Sequence, residues 1–282
     1  MRAVPADGAL RDEIAAQSWY HTIELAPGLA TAGYFDTRAA AERVPMPSSL
    51  AGLRCLDVGT YDGFWAFEME RRGAAEVLAI DVLEPSRWDW PGDSTPETVA
   101  AIGDPKARSR GFDIAKQALA SRVERRDLSV YELEPALVGD FDFVYCGSLL
   151  LHLRDPVGAL ARMRSVCSGR LLLEDVIDYP LSLVFPRQPV AALDGRGRPW
   201  WWKANVAGLR RMIEAAGFVV ETGPVRFFIA FGAGGPQHRV RPRALLRRDG
   251  REEALLALRG DPHAAFSAVP RDQPRSSAKS AS

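Results

Sequence analysis

Between residues 53 and 177, five strand-like runs alternate with helix-patterned segments: LRCLDV, EVLAIDV, SRVERRDL, FDFVYCGSLLL and GRLLLEDVI. Two strands can lie parallel only if a crossover of a dozen or more residues joins them, and a helix is the usual crossover. The alternation therefore predicts an α/β fold, a Rossmann-like, mostly parallel sheet with helices on both faces. In PVGALARMRSVC, residues 156–167, Asp155 is placed to cap, Pro156 suits the first turn, and Val157, Leu160, Arg164 and Cys167 recur at helical spacing. VAGLRRMIEAAG has Asn205 as its cap, an apolar face of Val206, Leu209, Ile213 and Ala216, and Gly217 as its stop. FVVETGPV and RFFIAFGA then read as a closing C-terminal antiparallel hairpin, which brings the sheet to seven strands.

Other segments flank or interrupt this core. Residues 1–49 carry aromatic and turn signals (SWYHTIEL, GYFDTR, VPMPSS) and are expected to form an extension that folds over the core as a lid. Residues 50–235 make the domain proper; within them 180–203, PLSLVFPRQPVAALDGRGRPWWWK, interrupts the sheet and suits a cover over the strand ends. Residues 236–267 form a basic segment, and the tail 268–282 has little to bury and is expected to be disordered.

Thirty-six basic residues balance thirty-six acidic ones, so no global field draws the chain to nucleic acid or to a membrane. Cys55, Cys146 and Cys167 sit singly in apolar segments, without the spacing of zinc ligands or a disulfide framework, and read as buried thiols. No apolar stretch approaches the roughly 20 residues of a membrane span, and MRAVPADGALRDEIAAQSWY lacks the apolar centre of a secretion signal. The expected location is the cytoplasm, with no membrane partner and no metal.

In an open parallel sheet the ligand crevice lies beyond the carboxyl ends of the strands. The polar candidates fall there: Asp57 and Gly59 close the first strand, Asp81 the second, Asp127 follows the third, and Cys146 to His152 end the fourth. The turn CLDVGTYDGF places Tyr61 where the dinucleotide fingerprint G-x-G-x-x-G has its middle glycine, so the close backbone approach to a pyrophosphate is missing. A dehydrogenase is disfavoured on that ground. A cofactor without a pyrophosphate does not need that glycine.

CLDVGTYDGFWAFEM, AIDV, RRDL and FDFVYCGSLLLHLRDP resemble the successive motifs of class I S-adenosylmethionine (SAM)-dependent methyltransferases, over about residues 50–235. WYHTIELAPGLATAGYFD, LLHLRDPVGAL and NVAGLRRMIEAAGF further resemble the bacterial tRNA wobble-uridine carboxymethyltransferase family and its relatives of unknown substrate. The resemblance implies SAM as cofactor. Asp57 beside the turn is then expected to meet the ammonium, backbone amides the carboxylate, Asp81 both ribose hydroxyls and Asp127 the adenine amino group. Gly59, Thr60, Tyr61 and Gly63 would shape the turn, and Val82, Leu128, Cys146 and Gly147 complete the expected contacts. That narrower family has a tyrosine directly before the histidine, where it contributes to holding the carboxylate of a carboxylated SAM; this chain has Leu151 before His152. Plain SAM is the expectation.

Methyl transfer from a sulfonium asks the protein to align the acceptor and exclude water, with a base where the acceptor starts protonated. His152 and His21 are the candidate bases. Trp19, Tyr20, Tyr34 and Phe35 are candidates for the acceptor pocket or for anchoring the extension, and the tryptophans at 200–202 with Lys203 offer a stacking surface beside a cation. The basic stretch 238–251 is the only local hint of RNA. The expected function is methyl transfer to oxygen or nitrogen of a small-molecule acceptor. The alternatives are modification of a tRNA wobble uridine and a non-catalytic module that retains the fold.

Overall fold

A computed structural model describes residues 7–193, 200–236 and 248–271. Its main sheet has nine strands: β1 (Trp19–His21), β2 (Gly33–Asp36), β3 (Arg54–Val58), β4 (Glu76–Asp81), β5 (Glu124–Asp127), β6 (Phe141–Gly147), β7 (Cys167–Val176), β8 (Phe218–Phe231) and β9 (Asp261–Pro270). They lie in the order β1-β2-β8-β9-β7-β6-β3-β4-β5. Strands β3 to β7 pair in parallel, and β9 runs antiparallel to both of its neighbours, β7 and β8. The seven strands from β8 to β5 are the expected Rossmann-like sheet. β1 and β2, from the extension, widen it by pairing β2 against the end of β8.

The helices of eight or more residues are α1 (Asp7–Ala15), α2 (Phe64–Arg71), α3 (Pro96–Arg108), α4 (Gly111–Ala118), α5 (Pro156–Val166), α6 (Val206–Ala215) and α7 (Arg248–Arg259). Successive strand residues point to opposite faces. Cys55, Val77, Phe143 and Tyr145 join one core with Phe67 and Met69 of α2 and Phe112 of α4, while Leu56, Leu78, Val144 and Cys146 join another with Leu160 of α5 and Leu209 of α6. Full burial of one such side chain contributes about 1.5–3 kcal/mol. The two cores hold the strand ends rigidly in place. Asp155 and Asn205 cap α5 and α6 as their sequences indicate, each accepting from a backbone N–H at 2.7 Å.

The C-terminal hairpin differs from the sequence reading in its residues. FVVETGPV and RFFIAFGA are one strand, β8, whose register shifts between Val220 and Val225. Gly-Pro reads locally as a turn, but an irregular strand accommodates both residues. Gly223 has φ +113, and a Cβ there would stand 2.6 Å from the Ala265 carbonyl oxygen. The partner strand is β9, which lies in the stretch read as a basic segment and tail. β9 continues through Pro270, so residues 268–270 belong to the sheet; residues 272–282 lie outside the described residues, as does most of the basic stretch 238–251.

After β3 the chain builds β4 and β5 on one side, then returns to build β6 and β7 on the other. The carboxyl ends of β3 and β6 therefore flank the point where strand order reverses, which is where such sheets hold ligands.

Candidate functional site

The turn after β3 is shaped by its own backbone. Gly59 and Thr60 donate N–H groups to the Ile80 carbonyl at 2.9 and 3.1 Å, tying the turn to the end of β4. Tyr61 has φ 51, and its N–H donates to Asp81 Oδ2 at 2.8 Å. Asp81 Oδ1 accepts from the Val82 N–H at 2.8 Å and from Lys106 Nζ at 2.7 Å. Gly63 opens α2 at φ +93, where a Cβ would stand 2.5 Å from the Phe67 ring. Glycine there is a packing requirement.

Over these ends lies a cavity of about 900 Å³. Of the residues singled out in the sequence, Asp57, Gly59, Tyr61, Asp81, Val82, Leu128, Gly147, His21 and His152 line it. Thr60, Gly63, Asp127 and Cys146 do not. Asp127 is engaged elsewhere: its Oδ1 accepts from Arg87 Nη1 at 3.0 Å and from the Leu83 N–H at 3.2 Å, so it is an ion-pair partner of the loop after β4. Cys146 is fully buried in the sheet core, where burial pushes its thiol pKa well up. Asp57 is 2% exposed and its Oδ2 has no hydrogen-bond partner among the described residues; burial raises its pKa to about 7.

Tyr61 stacks on Tyr20 at 4.9 Å between ring centroids, and Lys106 Nζ lies 4.8 Å from the Tyr61 ring and 4.8 Å from that of Trp88. The Tyr61 ring is thus a wall of the cavity. Tyr61→Phe preserves the stack and should leave ligand affinity within roughly twofold, whereas Tyr61→Gly removes about 1 kcal/mol each of ring stacking and cation–π contact. A titration calorimetry comparison should show roughly thirtyfold weaker binding for the glycine variant. Equal affinities in the two variants would mean that the ring is not part of the site.

The extension reaches this turn through Asp62, which is 1% exposed. Its Oδ2 accepts from the Tyr20 and His21 N–H groups at 2.8 Å each, and its Oδ1 pairs with His21 Nδ1. With Nδ1 engaged by the Asp62 carboxylate, Nε2 is the ring nitrogen left for another partner. Tyr20, Tyr34 and Phe35 line the cavity; Trp19 is an anchor, buried with its Nε1 donating to the Ile14 carbonyl at 2.9 Å. His152 sits in a single helical turn, Leu150–His152, with Leu151 beside it on the cavity wall.

The three tryptophans divide their roles. Trp200 and Lys203 line the cavity, while Trp201 Nε1 donates to the Asp89 carbonyl at 2.6 Å and Trp202 Nε1 to the Arg154 carbonyl at 3.2 Å. The first bond ties this segment to the loop after β4 and the second to the loop after β6. Sequence reasoning missed Asp62, Lys106, Trp88 and, at the end of β7, Glu174. The strand-end rule stopped one strand too early: GRLLLEDVI carries Glu174 and Asp175 just before its last two residues. Lys106 lies within α3, outside every motif considered, and nothing in its neighbourhood marks it.

The family model described as "Methyltransferase domain" matches residues 31–222. The ubiquinone biosynthesis O-methyltransferase of Acinetobacter baylyi is 29% identical over 138 residues, 48% of this chain and 49% of the relative. The tRNA U34 carboxymethyltransferase of Alcanivorax borkumensis is 29% identical over 179 residues, 62% of this chain and 48% of the relative. The chain spans about half the length of the curated relatives it matches. Among solved structures, the N-terminal domain of EvdMO1, determined in the presence of SAH and D-fucose, superposes with a TM-score of 0.52 at 16% identity, covering 97% of this chain and 100% of that one. That likeness is one of fold.

Proposed function

The chain belongs to the methyltransferase-domain family, the class I SAM-dependent methyltransferases, and from that footing we propose that it transfers a methyl group to oxygen or nitrogen of a small-molecule acceptor held in the cavity over β3 and β6. The observation that carries this reading is the pair of acids at the switch point. Asp57 keeps a buried oxygen without a partner on one side of the turn, and Asp81 closes the next strand on the other.

The residues present fit SAM. The cavity falls within the roughly 300–1,000 Å³ of small-molecule sites. The unpartnered Asp57 Oδ2 suits an ammonium, and the Asp81 carboxylate, now on Lys106, suits a vicinal diol that would replace that cation. Tyr61 at the middle glycine position excludes a pyrophosphate but not this cofactor. When bound, SAM supplies an electrophilic methyl group on a sulfonium. The chain's part is to orient the acceptor toward that group, to keep water out with the extension and the Trp200 cover, and to accept a proton where the acceptor carries one. His21, held by Asp62, offers Nε2 for that proton.

A pH dependence follows from Asp57. Burial raises the ligand-free pKa to about 7, and an ammonium partner favours the ionised form, so binding releases a proton below that pH. SAM affinity should therefore fall by up to about tenfold for each unit below pH 7 and level off above it. Asp57→Asn should flatten the profile. Calorimetry at several pH values measures this, and a flat profile in the unmodified protein contradicts the role given to Asp57.

The tRNA reading is supported by the Alcanivorax relative and by the extension's resemblance, and opposed by the neutral charge and by Leu151. A small-molecule acceptor is the stronger choice because the cavity is roofed by the extension and by the cover.

A further inference from the structure

One side of the cavity takes no part in the site described so far. Beyond β6, the end of β7 and the start of β9 meet at the same rim, because β9 runs antiparallel and brings its first residues to the carboxyl ends of the parallel strands. Glu174 of β7 lines the cavity there at 1% exposure.

Buried carboxylates near the rim are otherwise well supplied. Asp62 holds three donors from the extension. Asp81 holds two N–H groups and Lys106. Asp175 accepts from the Leu150 and Val176 N–H groups at 2.7 Å each. Among the described residues, two buried carboxylate oxygens lack any partner, Asp57 Oδ2 and Glu174 Oε2. The first lies on the side assigned to the cofactor. The second lies one strand beyond β6, on the side left for the acceptor.

The surroundings of Glu174 engage its other oxygen and leave Oε2 buried without a partner. Its Oε1 accepts from the Tyr145 hydroxyl at 3.1 Å, which fixes the carboxyl. Gly147 lies opposite in register, and a Cβ there would stand 2.8 Å from Oε1, so a side chain at that position would crowd the carboxyl. His263 is spent within the protein: Nε2 bonds Ser148 Oγ and Nδ1 the Asp261 carbonyl, each at 3.0 Å. Burial raises the Glu174 pKa, an effect that nearby His263, the Tyr145 hydroxyl and His21 oppose and Asp261 reinforces. Tyr20 from β1, Cys146 from β6 and Asp175 from β7 are the other titratable groups around it. Tyr34 and Phe231 face the same space and give it aromatic walls.

An unpartnered buried carboxylate oxygen costs free energy until a donor reaches it, and a hydrogen bond to an ionised group is among the stronger ones available. We infer that Glu174 is the acceptor's anchor: its Oε2 takes a hydrogen bond from a hydroxyl or ammonium group of the acceptor, the aromatic walls take the adjoining apolar part, and anionic acceptors are refused. This deepens the proposed function and rests on it.

The test uses the full chain saturated with SAH and three probes on one skeleton: benzylamine, benzyl alcohol and benzoate. SAH binding is measured first by calorimetry; its failure would count against the methyltransferase site as a whole, before Glu174 is in question. With SAH bound, saturation-transfer NMR should show millimolar binding of benzylamine, benzyl alcohol or both, and none of benzoate. Glu174→Gln keeps the volume and an acceptor for Tyr145, so SAH affinity should be unchanged while benzylamine and benzyl alcohol weaken by roughly tenfold or more. Glu174→Ala should show the same loss. Benzoate binding as well as the other two, binding of none of the three, or neither variant altering the preference would overturn the inference.

Discussion

Replacing Asp81 with alanine is expected to weaken SAM binding by a factor on the order of a hundred to ten thousand while leaving the sheet intact. Asp81 ends β4, is 7% exposed, and is the acid suited to a vicinal diol. Two hydrogen bonds to a charged acceptor are worth about 1.5–3 kcal/mol each, and every 1.4 kcal/mol is tenfold in affinity. The same carboxylate holds the Tyr61 and Val82 N–H groups, so its removal also loosens the turn that shapes the cavity. Asp81→Asn, which retains an acceptor oxygen, should fall between the two. Calorimetry with SAM and SAH reads the effect directly. Unchanged affinity in Asp81→Ala would move the ligand away from β4.

Asp62→Ala is expected to have the largest effect on stability of any single change near the site. The side chain is buried and satisfies three donors that belong to residues more than forty positions earlier: the Tyr20 N–H, the His21 N–H and His21 Nδ1. Each donor left unpaired costs about 1–3 kcal/mol, against a total stability of about 5–15 kcal/mol for an ordinary domain. At about 2–4 °C per kcal/mol for chains of this size, the midpoint of thermal unfolding should drop on the order of 10 °C. Limited proteolysis should cut the first fifty residues sooner than in the unmodified protein. A variant with unchanged melting and the same cleavage pattern would show that the extension is held by other contacts, such as the strand pairing of β2 with β8.

The parts of this molecule legible in the sequence are those set by short-range pattern. Residues 54–58 and 76–81 announce strands because apolar side chains fill both faces of a parallel sheet, and the polar residues that break those runs, Asp57 and Asp81, mark the strand ends that line the cavity. Asp155 and Asn205 declare their helices because a cap is a local bond. What escaped depends on partners distant in the chain. β9 is built from small residues that carry little strand signal and pairs with β7 some ninety residues away. Asp127 stands in a position that local order would assign to a ligand, but Arg87 takes its carboxylate. Asp62 sits in the motif TYDGF, yet its meaning lies in the docking of His21, which no spacing reveals. Glu174 was within reach of the same strand-end reasoning that found Asp81.

The central claim is methyl transfer to a small molecule, and the most direct measurement is the fate of the label from [methyl-³H]SAM incubated with the protein, a low-mass metabolite extract and bulk tRNA. The expected result is enzyme-dependent label in the low-mass fraction, lost in Asp81→Ala, with none in acid-precipitable RNA. Label confined to tRNA, or no transfer to either fraction by a protein that fails to bind SAM, would contradict it.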